Sequence, residues 1–531
     1  MGYEHTPGET ALSNVEPIIS PELGDLPKDK CGVFGIYAPG MPVVRLTYEG
    51  LEGLQQRGQG GAGLAYPVNT RAGSMLVVNK GLGLVPQALG LVVSPNQRGG
   101  SVIDDSYHPA LAIGQVRYPT AGSETFDAAQ PFRRERIAVA QNGEIDNIRE
   151  LAERFGVSAD DALSDTSLLT DILAKRTEEA DDMEVAAREV LQHANGGFCI
   201  VMTDGERVIG ARDPWGFHPF AIGELPGGGH VLASESVVFR GLGARFTRDV
   251  ERGEIVSLGK NGLKSSRIDR VEPQLECKFE YIYTARPDGV INGVSVSRAR
   301  RLMGRYLAID HPIPTEPGDN RPLIVVGVPT SGLLGAEGYA RESGIPVVMA
   351  VHKNPYAARM FIQSDSQRQA SIGGKYWPDR LEIAGNRLGV LDDSIVRADT
   401  LAALLAQLDE AGAAEMHVRS TADEYIDSCH MGMATHNRSK LVARGRNNQE
   451  ILDELRRLSG VGRKLVSVAF NSRDRIEQAI DEAVVDPTAR AIGRRLCHSC
   501  TTGDYPFPLS RGSGSVPLPM PSIRDGNMAR I

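Results

Sequence analysis

Cys31 heads the apolar run CGVFGIY (31–37), directly after a polar leader containing Pro and Glu. If the peptide bond before Cys31 is cut, that residue carries a thiol and a free α-amine whose pKa lies near about 7.7–8. The amine can take the thiol proton, so one residue supplies both nucleophile and base. Attack on a carboxamide carbonyl creates an oxyanion that needs preorganised donors. Gln141-Asn142-Gly143 offers an Asn amide and a glycine N–H in a tight turn. If the carboxamide is glutamine's, its α-carboxylate needs a guanidinium and its α-amine a carboxylate.

Two further sets of residues have chemistry-bearing spacing. Cys497 and Cys500, with two residues between them, are close enough for both thiolates to reach one metal centre. With two further cysteines they would make four thiolates, a set that suits zinc or an iron–sulfur cluster. Asp392 and Asp393 end an apolar strand pattern, and Ser394 to Thr400 then lead into a helix. A loop ahead of a helix N-terminus receives phosphate readily. Two acids at a strand end can hold ribose hydroxyls or a hydrated Mg²⁺.

The elements that must position these residues change in rhythm along the chain. Short β-type runs fall at 74–79, 111–118, 199–203, 207–211 and 230–233, with helical patterns near 44–56 and 166–192, which predicts an α+β layer domain. Beyond about residue 290, strands at 323–328, 346–351, 387–391 and 415–419 alternate with helices at 333–343 and 400–411. Alternation of this kind predicts a parallel sheet with helices on its faces. At 531 residues the chain exceeds what one core ordinarily serves. Its net charge of −9 gives no general attraction to nucleic acid or anionic membranes. No apolar run approaches the ~20 residues of a membrane span, and residues 1–30 lack the apolar core of a secretory signal. A cytoplasmic protein follows, in which six cysteines serve metal binding or catalysis rather than a disulfide scaffold. Cys199, inside the run FCIVM, reads as core.

CGVFGIY, LQQRGQGGAG (54–63), GQVRYPTAGS (114–123), QNGEIDN (141–147), SDTSLL (164–169), RDPWGFHP (212–219) and ASES (233–236) resemble, in order and spacing, the glutaminase domain of the amidophosphoribosyltransferases. The resemblance runs over roughly 31–500. It implies an α+β N-terminal-nucleophile (Ntn) glutaminase domain at 31–265, followed by an α/β parallel-sheet phosphoribosyltransferase domain at 266–500. Residues 1–30 would be a propeptide and 501–531 a flexible tail. Carried over, Cys31 is the nucleophile, Asn142 and Gly143 the oxyanion hole, Arg117 the holder of glutamine's carboxylate and Asp165 of its amine, with Thr120 lining the pocket. LDDSIVRADT (391–400) is similar to the family's phosphoribosyl diphosphate loop, assigning Asp392, Asp393, Ser394, Arg397 and Thr400 to substrate and Mg²⁺. VPTSGLLGA (328–336) resembles the loop that contacts diphosphate, through Ser331. VHKNPYAARMFIQ (351–363) resembles the loop that closes over it, through Lys353 and Arg359, and Arg368 and Lys375 keep the spacing of two further cations. The resemblance also implies a [4Fe–4S] cluster on Cys277, Cys429, Cys497 and Cys500, structural rather than redox-active, and a homo-oligomer.

The chain departs from the family at several positions. Thr330 stands for an Asp, Ala398 for a glycine, Asp399 for a threonine, Phe217 and His218 for Ile-Arg, and Gly60 for an acidic residue. Asp399 is also placed to cap the helix expected to start at Thr400. The leading reading is synthesis of phosphoribosylamine from glutamine and phosphoribosyl diphosphate. A specialised paralogue aminating another sugar phosphate or nucleotide-like acceptor is the alternative, favoured by positions 330, 398 and 399. Intact Cys31, Arg117, Asn142, Gly143 and Asp165 argue against a silent regulatory subunit.

Overall fold

The computed structural model describes residues 31–71, 73–90, 108–117, 126–160, 162–315, 318–354, 375–433, 435, 438–486 and 495–510. Alternation of apolar side chains builds the first half. A seven-stranded antiparallel sheet runs in the order Arg245–Asp249, Ala221–Glu224, His230–Ala233, Gly32–Tyr37, Leu111–Arg117, Gly61–Thr70, Gly73–Leu82. A six-stranded one runs Gly262–Arg267, Glu254–Gly259, Val208–Arg212, Gly196–Thr203, Ile137–Ile145, Phe132–Arg134. Val33, Ile113, Ala138, Ala140, Cys199 and Val201 fill the space between the sheets. On the outer faces, Phe34 and Ile36 pack on helix Val43–Gly53, and Ile137, Val139 and Phe198 pack on Leu168, Leu169, Ile172 and Val190. Four layers result: helix, sheet, sheet, helix. Cys199 is core, as expected.

The helix expected over 166–192 is two helices, Asp165–Ala180 and Met183–Leu191. Asp181 takes a left-handed φ of 51° and ends the first. Asp182 caps the second, accepting from the N–H groups of Glu184 and Val185. Periodicity continued through the break, but two adjacent aspartates supplied a stop and a start.

In the second half Leu323–Gly327, Arg387–Asp392, Glu415–Ser420 and Leu465–Phe470 form a parallel sheet. The strand at 465–470 was not anticipated. The one expected at 346–351 reduces to a single bridge, Val325 with Val347, because Pro346 has no N–H to extend the ladder; the chain pairs again only at Val351–Lys353, with Tyr376–Pro378. Helix Val296–Asp310 lies against helix Gly332–Ser343 backbone to backbone, since a Cβ at Gly304 or Gly338 would overlap the carbonyls of Gly335 or Arg301. That contact fixes the start of the second helix, where Ser331 sits.

One apolar cluster joins the halves: Trp215 and Phe217 from the first meet Phe279, Tyr281, Met431 and Phe507. Residues 501–510, expected as the start of a tail, are instead held in place. Helix Ser499–Thr502, the Tyr505 hydroxyl on the Ser428 carbonyl (2.6 Å) and the Ser510 N–H on Asp146 (2.7 Å) tie residues 501–510 down.

Candidate functional site

The period of two in the sheets places the candidate glutaminase residues. Cys31 shares the inward parity of Val33, Arg117 that of Ile113, and Asn142 that of Ala138 and Ala140. The register Gly32↔Val116 brings Cys31 to the level of Arg117. Asn142, on the facing sheet, pairs with Cys199. The two sheets are bridged here by the Gln115 amide, which donates to the Gln141 carbonyl at 2.8 Å.

Asn142 has no exposed surface, and neither its Nδ2 nor its Oδ1 meets a partner among the described residues. Leaving both buried costs about 1–3 kcal/mol, so the amide is poised for something that arrives. Gly143 has a φ of 120°, and a Cβ there would overlap the Gly197 carbonyl. Only glycine permits this approach. Asp165 opens its helix, which Ser164 caps by accepting from the Ser167 N–H. Its carboxylate accepts from the Gln141 side chain (2.9 Å), the Ile145 N–H (3.2 Å) and the Thr166 N–H (2.8 Å). Burial still holds its pKa above the usual carboxylate range despite those donors. Burial, with Asp165 and Asp146 nearby, pushes the Glu144 carboxyl to about 8. Thr120 lies outside the described residues.

Residues that sequence reasoning passed over complete this end. Arg57, fully buried, holds the Cys31 carbonyl oxygen at 3.1 Å and is paired with Glu235 at 2.6 Å and Glu280 at 3.0 Å. Arg57 and Glu235 lie within the motifs LQQRGQGGAG and ASES, so their motifs were in view while their partnership was not.

At the end of strand Arg387–Asp392, Asp392 and Asp393 are both buried. Burial and, for Asp392, the neighbouring Asp393 charge push their pKa values up. Ser331 donates to Asp393 instead of capping its own helix, and the Ser394 hydroxyl donates to the other Asp393 oxygen at 2.7 Å. A Cβ at Gly332 would stand 2.6 Å from the Leu391 carbonyl, so the loop 328–332 presses on the strand end. Lys375 is near enough to lower both carboxyl pKa values, and Tyr376 is raised in turn by burial and by the two acids. Lys375 thus acts on the acid pair through its charge. Lys353 is exposed opposite Tyr376 in the two-stranded ladder. Arg359 and Arg368 lie outside the described residues.

Ala398 takes a φ of 71°, the left-handed region suited to the glycine it replaces. The helix starts at Asp399, with Ala398 in the capping position and no side-chain cap. Asp399 is therefore not the N-cap but a first-turn acid, stabilised by the helix dipole rather than by a cap bond. Arg397 and Thr400 flank this turn, both half-buried.

Cys277 and Cys497 are direct neighbours across a two-residue parallel ladder. The Cys429 Sγ accepts from the Met431 N–H at 3.4 Å. The Cys500 carbonyl receives the N–H groups of Ile426 and Asp427. Cys500 feels the charge of Cys429, Cys497 and Cys277, so the four thiols share one region.

A family model described as "Glutamine amidotransferase domain" matches residues 120–240. Amidophosphoribosyltransferase of Mycobacterium tuberculosis is 37% identical over 91% of this chain and 88% of that protein. The amidophosphoribosyltransferase of Synechococcus elongatus is 31% identical over 95% of this chain and 96% of that protein. The solved structure of glutamine phosphoribosylpyrophosphate amidotransferase from B. subtilis, complexed with ADP and GMP, superposes with a TM-score of 0.75 at 30% identity, covering 92% of this chain and 100% of that one. Among the described residues no helix is long and apolar enough to cross a membrane.

The acid pair makes a stability prediction. A carboxyl whose folded pKa is raised contributes stability below its unfolded pKa of about 3.9, and loses it as pH rises through the folded value. At neutral pH the ligand-free pair therefore opposes folding. Asp392→Asn, which keeps the acceptor for the Asp393 N–H, should raise the thermal midpoint at about pH 7 by the equivalent of ~1 kcal/mol. Its advantage should shrink toward about pH 4. A midpoint lowered at neutral pH contradicts the charge assignment.

Proposed function

The chain belongs to the amidophosphoribosyltransferase family, and we propose that Cys31 is its glutamine nucleophile, Asn142 its oxyanion donor, and Asp392 with Asp393 the centre of its acceptor site. The enzyme hydrolyses glutamine and delivers the ammonia to phosphoribosyl diphosphate, forming 5-phosphoribosylamine, glutamate and diphosphate in the first step of purine synthesis. The buried amide of Asn142, without a partner among the described residues and on the inward parity shared with Cys31, carries the site assignment.

Cleavage before Cys31 frees the α-amine, which takes the thiol proton as sulfur attacks the carboxamide carbon. Negative charge gathers on the former carbonyl oxygen, where Asn142 Nδ2 and the Gly143 N–H receive it in a site dry enough to strengthen both bonds. The amine returns the proton to the departing ammonia, and water then releases glutamate from the thioester. Arg117 pairs with the substrate carboxylate and Asp165 with its ammonium, while Thr120 lines the same pocket. An arriving ammonium also offsets the burial that raises Asp165.

At the acceptor, Ser331, Ser394, Arg397 and Thr400 surround the phosphates and ribose, with Lys353, Arg359 and Lys375 as cations. Mg²⁺ on Asp392 and Asp393 would neutralise the raised carboxyls and the diphosphate together. One observation favours the alternative acceptor: Asp399 occupies the first helical turn beside the phosphate loop. At ~4 Å from one unit of phosphate charge, with an effective dielectric of ~20, a carboxylate is repelled by about 4 kcal/mol, roughly a thousandfold in affinity.

Cys277, Cys429, Cys497 and Cys500 would hold a [4Fe–4S] cluster that pins the C-terminal segment to the second half. Four thiolates suit zinc as well; what supports the cluster is the resemblance of these four positions to those of cluster-bearing family members. We further infer a cytoplasmic homo-oligomer without nucleic-acid or membrane partners.

Intact mass of active enzyme should begin at Cys31, and Cys31→Ala should abolish glutamine hydrolysis while ammonium still serves the second site. Active protein retaining residues 1–30 removes the amine as base. Anaerobically purified protein should carry about four iron and four sulfide per chain; zinc without sulfide overturns that assignment. For the acceptor, the double change Ala398→Gly with Asp399→Thr is compared with the parent by titration with phosphoribosyl diphosphate. Tight binding by the parent ends the alternative acceptor, and a gain of hundreds-fold or more supports it.

A further inference from the structure

Arg57, Glu235, Glu280 and His218 meet in a space closed to solvent between the two halves, with side-chain exposures of 0, 2, 2 and 0%. The His218 ring faces two acceptors. Its Nδ1 lies 3.4 Å from Glu280 Oε1 and its Nε2 2.5 Å from the Met431 carbonyl oxygen. Glu280 is a carboxylate, because both its oxygens receive Arg57 N–H groups, at 3.0 and 3.1 Å. A neutral imidazole has one N–H and one lone pair. Either tautomer would turn that lone pair on an oxygen, whereas two N–H groups satisfy both. A protonated ring also stands beside a buried carboxylate, Glu280, which offsets the cost of burying its charge.

We propose that His218 is a buried imidazolium that ties the loop bearing Cys429 to the strand bearing Cys31, and so is a positioning residue for glutamine hydrolysis. On one side the ring holds Glu280, Glu280 holds Arg57, and Arg57 Nε holds the Cys31 carbonyl oxygen at 3.1 Å. On the other side it holds Met431, which presses on Gly197 of strand Gly196–Thr203, while Gly432 presses on Gly143 of the oxyanion strand. A Cβ on Gly197 would come 2.9 Å from the Met431 Cβ, and one on Gly432 2.7 Å from the Gly143 Cα. Nucleophile and oxyanion donor lie on different sheets, yet both are braced against one ring. The family's arginine at this position is a permanent cation, and His218 supplies the same charge through two ring protons. The inference rests on the roles proposed for Cys31 and Asn142.

Full-length wild type, His218→Gln, His218→Arg and Cys31→Ala are compared with glutamine and with ammonium as nitrogen source. His218→Gln should lower the glutamine-dependent kcat by about 10²-fold. The glutamine KM should move less than about threefold and the ammonium rate less than about twofold. His218→Arg should recover most of the loss. Wild-type kcat in His218→Gln, a loss that Arg does not relieve, or an equal loss with ammonium overturns the proposal. Glutamine hydrolysis that survives Cys31→Ala overturns the nucleophile instead, and with it the premise. Should His218→Gln not fold, nitrogen-15 spectra of wild type with labelled histidine decide the matter. One ring protonated on both nitrogens at neutral pH, absent from His218→Arg, supports the imidazolium; a neutral tautomer there refutes it.

Discussion

Arg57 has no surface left for water, and four of its five donors are spent on the Cys31 carbonyl, Glu235 and Glu280. Burying a guanidinium with two carboxylates gives little net stability, because desolvation consumes most of the attraction. Breaking such a set by removing one partner is expensive, since a charge is then left alone in a dry place. The consequence is geometric rather than energetic. Cys31 sits where the guanidinium permits, and the guanidinium sits where one acid from each half of the chain permits. The nucleophile's position therefore depends on how the halves dock.

The same dependence holds for the oxyanion strand. Gly197 and Gly432 lack side chains where the strands and the loop 429–432 come closest, and a Cβ at either would press on Met431 or on Gly143. That loop also carries Cys429 and, through His430 on Asp146 at 3.1 Å, a polar contact to the residue after Ile145. Tyr505 stacks edge-on against His430. The cysteine region and the glutaminase strand thus share a wall, although more than 280 residues separate Asp146 from His430.

The acceptor end accepts unfavourable local terms for the sake of its surface. Two adjacent carboxyls are buried at a strand end, Ala398 holds a backbone conformation costing a non-glycine residue about 1–2 kcal/mol, and Ser331 leaves its helix uncapped to reach Asp393. Such terms persist where the surrounding structure over-determines them, and they cluster where ligands bind. The parallel sheet supplies that rigidity. Strand Arg387–Asp392 is flanked on both sides, so its end cannot relax away from the loop 328–332.

Local pattern was enough for the strands around Cys31 and Arg117, the alternation of strand and helix after residue 320, and the acid pair at a strand end. These follow from side-chain period and from turn residues within a few positions. The cysteine spacing at 497–500 was legible for the same reason, and so was Asn142 next to a glycine. Tertiary structure decided what pairing decides. Residues 346–351 have strand composition, but a proline limits their bridge to one residue. Leu465–Phe470 became a strand because Glu415–Ser420 offered an unpaired edge. Arg57, Glu235, Glu280 and His218 are ordinary charged residues in four separate segments, and nothing local marks them as one set. Only the exclusion of water between the halves turns them into partners, because a charge costs little in a solvated chain and a great deal once it is buried.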